Sequence, residues 1–245
     1  GGGGKGIRKA TSDDELRTAF TNVSAEVPGS PIFLMQMCSG ARHLEVQILG
    51  DQYGNTVALN GRDCSTQRRF QKIFEEGPPV IANPVVFKEM ERAAMRLTAL
   101  VGYSGAGTVE YLYSAIEDKY YFLELNPRLQ VEHPVTEEIT GVDLVAEQLR
   151  IAAGEKLSFI QEDLAIRGHS IECRLYAEDP SQGYIPSPGN IHSLRFPEGP
   201  GVRVDAGIVE GSDVSEFYDP MLAKLVVWGS SRPVAIARMR RALQE

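Results

Sequence analysis

The sequence predicts an α+β fold, and three observations carry that prediction. Short runs of alternating polar and apolar residues, such as RHLEVQIL (42–49) and GTVEYLY (107–113), read as strands joined by tight polar links. Capped segments opening at Ser12 and Pro84 read as helices. From Gly168 onward, short strands alternate with Gly/Pro turns, including IPSPGN and FPEGPGVRV, before a closing helix from about Pro233.

Taken in order, Gly1 to Gly4 alone read as a linker scar. The continuation Lys5-Gly6-Ile7-Arg8 favours a natural phosphate loop, whose backbone amides approach an anion closely where no Cβ intervenes. It is not a P-loop, which needs a different glycine spacing and a Ser or Thr after the lysine. Ser12, followed by Asp13, Asp14 and Glu15, is a good N-cap with acids in the first turn, so a helix is expected to about Val27. Pro31 to Met37 is then expected to return as a strand. RHLEVQIL, the DQYGN turn and TVALN (56–60) read as a hairpin. In its first strand His43, Glu45 and Gln47 share a face that either meets solvent or lines a ligand, opposite Leu44, Val46 and Ile48. A helix from Pro84 to just before Gly102 should bury Val86, Met90, Ala93 and Leu97. Another helix is expected from about Val142 to Ala153, then a polar connector (157–167). The last unit should form a mostly antiparallel sheet packed against the first, with Val226, Val227 and Trp228 in its core. His169 and His192 have no partner in sequence and read as surface or structural residues.

Composition excludes several classes. A 42% hydrophobic and 24% charged content over 245 residues is that of a globular protein with room for a sizeable core. The net charge of −8 and the lack of a basic stripe argue against nucleic-acid binding. No apolar run approaches the roughly 18 residues of a membrane span. Three widely spaced cysteines (Cys38, Cys64 and Cys173) suggest a reducing compartment rather than a disulfide framework or zinc site.

The chemistry concentrates in GTVEYLY and YYFLELNPRLQVEHP (120–134). If the link SAIEDK closes an antiparallel hairpin, Glu110 lies opposite Glu124. By strand alternation Glu124 and Asn126 share a face with Tyr120 and Phe122, and Leu123 and Leu125 take the other. Two bare carboxylates at ~5 Å repel by about 3 kcal/mol at an effective dielectric of ~20. Either both are solvated, or a hard divalent cation such as Mg²⁺ or Mn²⁺ compensates them beside substrate phosphates. Pro127 ends the strand, and a loop follows with Arg128, Gln130, Glu132 and His133 and little apolar content. Arg128 can grip a planar oxyanion through paired hydrogen bonds, and Glu132 can act as a general base.

The run YYFLELNPRLQVEHPVTE resembles the signature of biotin carboxylases, the ATP-grasp component of biotin-dependent carboxylases. GGGGKGIR, RHLEVQILGD, GRDCSTQRR, GAGTVEYL, GHSIECRLYAEDP and YDPMLAKL also look like family segments, in family order, so the resemblance spans almost the whole chain. It implies a partial ATP-grasp lid (1–37), an ATP-grasp metal- and ATP-binding domain (38–156), the connector and a truncated biotin carboxylase C-terminal domain (168–245).

By resemblance, Glu110 and Glu124 match metal-binding glutamates, and Asn126 the asparagine close to a second ion. Lys72, Arg128, Gln130, Val131 (through its backbone) and Glu132 match the bicarbonate site, with Glu132 as the base. Arg174 matches the arginine that steadies the enolate of biotin. Gly2, Gly3 and Gly4 match the glycine lid over the ATP phosphates, and Met35, Cys38, His43 and Gln67 fall at positions lining the nucleotide pocket. The implied chemistry is attack of bicarbonate on the γ-phosphate of ATP to give carboxyphosphate, then its breakdown to CO₂ and phosphate and carboxylation of the ureido nitrogen of carrier-bound biotin. Positioning and charge neutralisation dominate such phosphoryl transfer, which suits two metal-linked carboxylates with fixed cations. The implied partners are a biotin carboxyl carrier domain, a carboxyltransferase and a second copy in a homodimer, in the cytoplasm, a mitochondrion or a plastid.

Two departures stand out. Phe70 occupies a position where the family usually has histidine, and a phenyl ring offers a nucleotide no hydrogen bond. The family's N-terminal domain and its upstream ATP-binding lysines do not precede the glycines, so the chain is expected to be a fragment with little or no activity by itself. EVPGSPIF and ILGDQYGN resemble multidomain acetyl-CoA carboxylases, whereas GHSIECRLYAEDP and GVRVDAGI look closer to propionyl-CoA and bacterial acetyl-CoA types, which leaves the acceptor open. Two rival readings are another ATP-grasp ligase such as a carbamoyl-phosphate synthase, and a non-catalytic nucleotide-binding module.

Overall fold

Strand and helix periods alternate along the chain, and the computed structural model, which describes residues 6–245, places their apolar faces on the two sides of one sheet. Gly2, Gly3 and Gly4 lie outside the described residues. After α1 (Asp13–Glu26) come β1 (Arg42–Gly50), β2 (Thr56–Arg68), β3 (Gln71–Gly77), α2 (Pro84–Leu100), β4 (Gly105–Ser114), β5 (Lys119–Asn126), α3 (His133–Thr140) and α4 (Leu144–Ala152). Then follow β6 (His169–Tyr176), β7 (Glu178–Asp179), β8 (Ile185–Pro186), β9 (Gly189–Asn190), β10 (Val202–Ala206), β11 (Asp213–Val214), β12 (Met221–Gly229) and α5 (Arg232–Ala242). Eight strands form one sheet in the order β10-β12-β6-β3-β2-β1-β4-β5, antiparallel at every seam.

Side-chain alternation gives the sheet two different faces. On one, Leu44, Val46, Ile48, Val109, Tyr111 and Tyr113 pack against Phe87, Met90 and Ala94 of α2. The same face continues as Ile171, Cys173, Leu225 and Val227 under Ala235, Met239 and Ala242 of α5. On the other face, α4 covers Leu49, Val57, Leu59 and Ala106 with Leu144 and Ile151. α3 lies beside it, over β2, β3 and β6. Gly77 permits this approach, since a Cβ there would stand 2.9 Å from Val135 Cγ1 and 3.0 Å from the Gly61 carbonyl oxygen.

Caps set the helix boundaries. Ser12 Oγ accepts from Glu15 N at 3.3 Å, while Glu15 Oε2 accepts from Thr11 N at 2.7 Å. Asn83 Oδ1 accepts from Val85 N at 3.0 Å with Pro84 in the first turn, and Asp143 Oδ1 accepts from Ala146 N at 2.8 Å.

Five expectations are corrected. Pro31–Met37 forms no strand: it pairs with no neighbour among the described residues, and Phe33, Leu34, Met35 and Met37 are exposed. The buried stripe of α2 is Phe87, Met90, Glu91, Ala94 and Thr98, with Val86 and Leu97 packed at its margin, a rotation of about one residue. The segment after Gln130 is not all loop, because Glu132 caps α3 and His133 is its first residue. The C-terminal strands do not make a second packed sheet; β6 pairs edge to edge with β3 and extends the first. Finally, the β4–β5 register shifts between Glu110↔Glu124 and Tyr111↔Phe122. Leu123 is the extra residue of this bulge, so Phe122 and Tyr120 turn to the α2 face, where both rings meet Tyr111 edge-on. Glu124 and Asn126 remain on the opposite face.

Candidate active site

The face under α3 carries charge where its counterpart under α2 carries hydrocarbon. Direct cross-strand neighbours place Glu124, Glu110, Glu45 and Arg62 in a row over β5, β4, β1 and β2. Three acids side by side are unfavourable unless cations answer them. Arg62, wholly buried, donates to Glu45 Oε1 at 2.5 Å, Gln47 Oε1 at 2.9 Å and Thr136 Oγ1 of α3 at 2.6 Å. Lys72 Nζ donates to Glu45 Oε2 at 2.7 Å, Glu132 Oε1 at 2.5 Å and Glu110 Oε1 at 3.1 Å, so one ammonium gathers three carboxylates. Arg174 spans the next gap, with Nη2 on Glu132 Oε2 at 2.9 Å and Nε on Glu75 Oε1 at 2.7 Å.

The electrostatics follow from burial and these partners. Burial raises the pKa of Glu45, but Arg62 and Lys72 outweigh it and bring it to about 2. Burial also opposes ionisation of Glu110; the close His43 ring and Lys72 hold it at about 2. His43 Nε2 stands 3.0 Å from Glu110 Oε2 at an angle short of a full hydrogen bond, and its Nδ1 faces Gln67 Nε2 at 2.9 Å. Burial works against the charge of Lys72 too, yet Glu45 and the other surrounding acids drive its pKa well up.

Most of the expected residues gather here. Glu110, Glu132, Lys72, Arg174, Gln130, His43 and Gln67 form one connected network, in which Gln130 Nε2 donates to Glu110 Oε1 at 3.1 Å. The Val131 carbonyl accepts from Lys224 Nζ at 2.9 Å. Glu124 is exposed beside Asn126, whose Nδ2 donates to Glu124 Oε1 at 3.2 Å. Arg128 is exposed and, among the described residues, donates only to the Leu129 carbonyl, at 3.3 Å; Glu132 is held by Lys72 and Arg174 instead of by Arg128. Met35 is 63% exposed and Cys38 half-buried; neither contributes a side-chain hydrogen bond to the network. Phe70 is exposed at the β2–β3 turn, where it and Arg69 adopt left-handed φ of 67° and 50°.

Glu45 and Gln47 answer the question their strand left open: their face is buried and lines the site. Arg62, Glu75, Glu172 and Lys224 were not anticipated, and a charge inside an apolar strand run was the only signal available for them. The oxygen donors of Glu110, Glu124 and Asn126 suit a hard divalent cation, and the exposed Glu124 leaves that side of the pair open to one. His43, Glu45 and Glu110 also present ligand atoms within 4.8 Å of one another.

Comparisons with known proteins agree with this geometry. Residues 1–160 match the family described as carbamoyl-phosphate synthase L chain, ATP binding domain, and residues 172–245 match the biotin carboxylase C-terminal domain. Biotin carboxylase 1 of Bacillus subtilis is 47% identical over 249 residues, covering 100% of this chain and 55% of the relative. The biotin carboxylase of a Nostoc species is 44% identical over 249 residues, covering 100% of this chain and 56% of the relative. The chain thus spans about half the length of these curated relatives. Among solved structures, the biotin carboxylase domain dimer of Hydrogenobacter thermophilus 2-oxoglutarate carboxylase, in complex with MgADP, ADP and bicarbonate, superposes with a TM-score of 0.95 at 42% identity. It is matched over 100% of this chain and 55% of that one.

Proposed function

Because the chain belongs to the biotin carboxylase family of ATP-grasp proteins, we propose that the intact protein carboxylates carrier-bound biotin with bicarbonate, using ATP, as the first half-reaction of an acyl-CoA carboxylase. The observation that carries the reading is Glu132 held between Lys72 and Arg174, with Lys72 also reaching Glu110 of the facing pair Glu110 and Glu124. The C-terminal match over residues 172–245 favours this over a carbamoyl-phosphate synthase, and the full charge network favours it over a non-catalytic module.

Each residue then has a chemical task. Glu132 takes the proton of bicarbonate and is kept in place by the two cations. Lys72, Arg128, Gln130 and the backbone of Val131 hold bicarbonate for in-line attack on the γ-phosphate, with ADP as leaving group. Arg174 steadies the enolate of biotin during carboxylation. Glu110, Glu124 and Asn126 would hold Mg²⁺ or Mn²⁺, which supplies charge neutralisation to the triphosphate. Met35, Cys38, His43 and Gln67, with the glycines 2–4, surround the nucleotide. The lid at 1–37, the domain at 38–156, the connector at 157–167 and the unit from 168 onward work around this one site. A carrier domain delivers biotin, a carboxyltransferase consumes carboxybiotin, and a homodimer is the assembled form. The three free cysteines suit a reducing compartment such as the cytoplasm.

Glu124→Gln in the full-length protein tests the metal assignment. The expected result is loss of metal-dependent, biotin-stimulated ATP cleavage with the fold intact by circular dichroism; near-normal turnover would remove the assignment. Calorimetric titration with MgATP and then biotin separates the carboxylase from a mere nucleotide binder, which would bind the first and ignore the second.

A further inference from the structure

Next to the reacting residues lies an acid pair that the proposed chemistry does not use. Glu75 of β3 and Glu172 of β6 are direct cross-strand partners on the α3 face, and neither has exposed surface. Cβ atoms at such positions stand about 4.5–5.5 Å apart, within reach for two carboxyl groups. Glu75 Oε1 accepts from Arg174, but Glu75 Oε2 and both oxygens of Glu172 are buried with no hydrogen-bond partner among the described residues. Three orphaned oxygens on two directly paired residues, all of them acceptors, point to a missing hydrogen between the two acids.

We infer that Glu75 and Glu172 share a single proton and that the resulting monoanion is a positioning device, which anchors Arg174 so that its other arm stays on Glu132. With one proton between them, a carboxylic O–H donates across the seam and satisfies oxygens that two anions would leave bare. The groups facing the pair come from every neighbouring element: Lys72 on β3, Arg174 on β6, Lys224 on β12, and Glu132 at the start of α3, with His133 next to it close enough to feel Lys224. Among the described residues Arg174 is the one cation hydrogen-bonded to the pair, and it is shared with Glu132, so it balances one negative charge and not two. Burial lifts the Glu75 carboxyl to about 7 despite Arg174, and burial together with Glu75 lifts Glu172 well above the ordinary carboxylate range. Loss of the shared proton at high pH would add a charge that draws Arg174 off Glu132.

This inference rests on the carboxylase reading, and the test separates the two. In the full-length enzyme, bicarbonate- and biotin-dependent ATP cleavage is followed from pH 6 to 10 for the wild type, Glu172→Gln, and the double variant Glu75→Gln/Glu172→Gln. Glutamine at 172 keeps the shape and a donor but cannot ionise. It is expected to move the alkaline decline of kcat to higher pH, and to raise the thermal midpoint above that of the wild type at pH 8–9. The double variant removes the anion that holds Arg174, so kcat should fall roughly 10- to 100-fold across the range while KM for MgATP changes less than about twofold. Infrared spectra at pH 7 should show a protonated carboxyl band in the wild type that is missing from Glu172→Gln. Absence of that band from the wild type, an unmoved alkaline limb, a double variant as active as the wild type, or failure of Glu172→Gln to fold would each overturn the inference. A wild type without biotin-dependent ATP cleavage would overturn the functional reading and the positioning role with it, while the infrared and thermal results would still judge the shared proton.

Discussion

Arg62 has no exposed surface, yet its guanidinium is fully charged, and its value lies in what it prevents. Without it, Glu45 keeps only the Lys72 ammonium, which Glu110 and Glu132 also claim. Breaking a buried pair by removing one partner costs more than the pair contributes, so Arg62→Met should destabilise by about 3–5 kcal/mol in urea denaturation. Adding Glu45→Gln should recover much of that loss, and a double variant no better than the single would deny the coupling. The same acids set the response to pH. Glu45 and Glu110 have folded pKa values of about 2 against an ordinary 4.5, so their stabilisation is present above 4.5 and lost as pH falls toward 2. Glu75 has the opposite sign: its folded value of about 7 lies above the unfolded one, so its contribution is present below 4.5 and lost as pH rises through 7. Thermal midpoints should therefore peak in mildly acidic buffer and decline on both sides; a flat response from pH 4 to 8 would contradict both assignments.

At the scale of elements, α3 decides whether the site exists, because it carries Glu132 and covers the charged face with Thr136. Its seat on the sheet depends on Gly77. Gly77→Ala places a methyl 2.9 Å from Val135 Cγ1, and rigid backbone at Gly61 blocks any escape on the other side. Overpacking of this kind costs about 1–3 kcal/mol. It should also lift Glu132 away from Lys72, so activity should fall further than stability explains, as comparison of kcat with the denaturation midpoint would reveal. How far these elements were legible in sequence follows the range of the signal. α1, α2 and α4 announce themselves through local caps, and the Glu110–Glu124 pairing through two runs only a short link apart. α3 was hidden because its 8 residues open on His133 and Pro134 directly after Glu132, and that run reads as the tail of a loop. The bulge at Leu123 has no local mark at all, since the count of residues between two strands does not say which of them is left unpaired.

For the whole molecule, the hidden feature was the seam between β3 and β6. It joins residues almost a hundred positions apart, and no local pattern encodes such a pairing. Both of its sides are committed: Phe74 packs into the cluster of Ile171, Cys173 and Leu225, while Glu75 and Glu172 meet on the other face. The C-terminal unit accordingly supplies nearly all of its apolar cluster, with Phe74 packed in from outside, but not the strand that pairs with β6 or the partners of its buried charges. Cut out as residues 168–245, it would present β6 as an open edge, with Arg174 stripped of Glu75 and Glu132 and Glu172 stripped of its neighbour. That piece expressed alone should show no cooperative thermal transition. Mixed with a second chain carrying residues 1–167, it should regain one, together with dispersed amide resonances from β6. Cooperative melting of the isolated piece would show instead that the family boundary near residue 172 is also a folding boundary, and that the charged network is assembled late from two finished halves. The single sheet argues for the first outcome, because among the described residues Arg174 is held only by acids from across the seam, Glu75 and Glu132, and Glu172 is paired with Glu75 there.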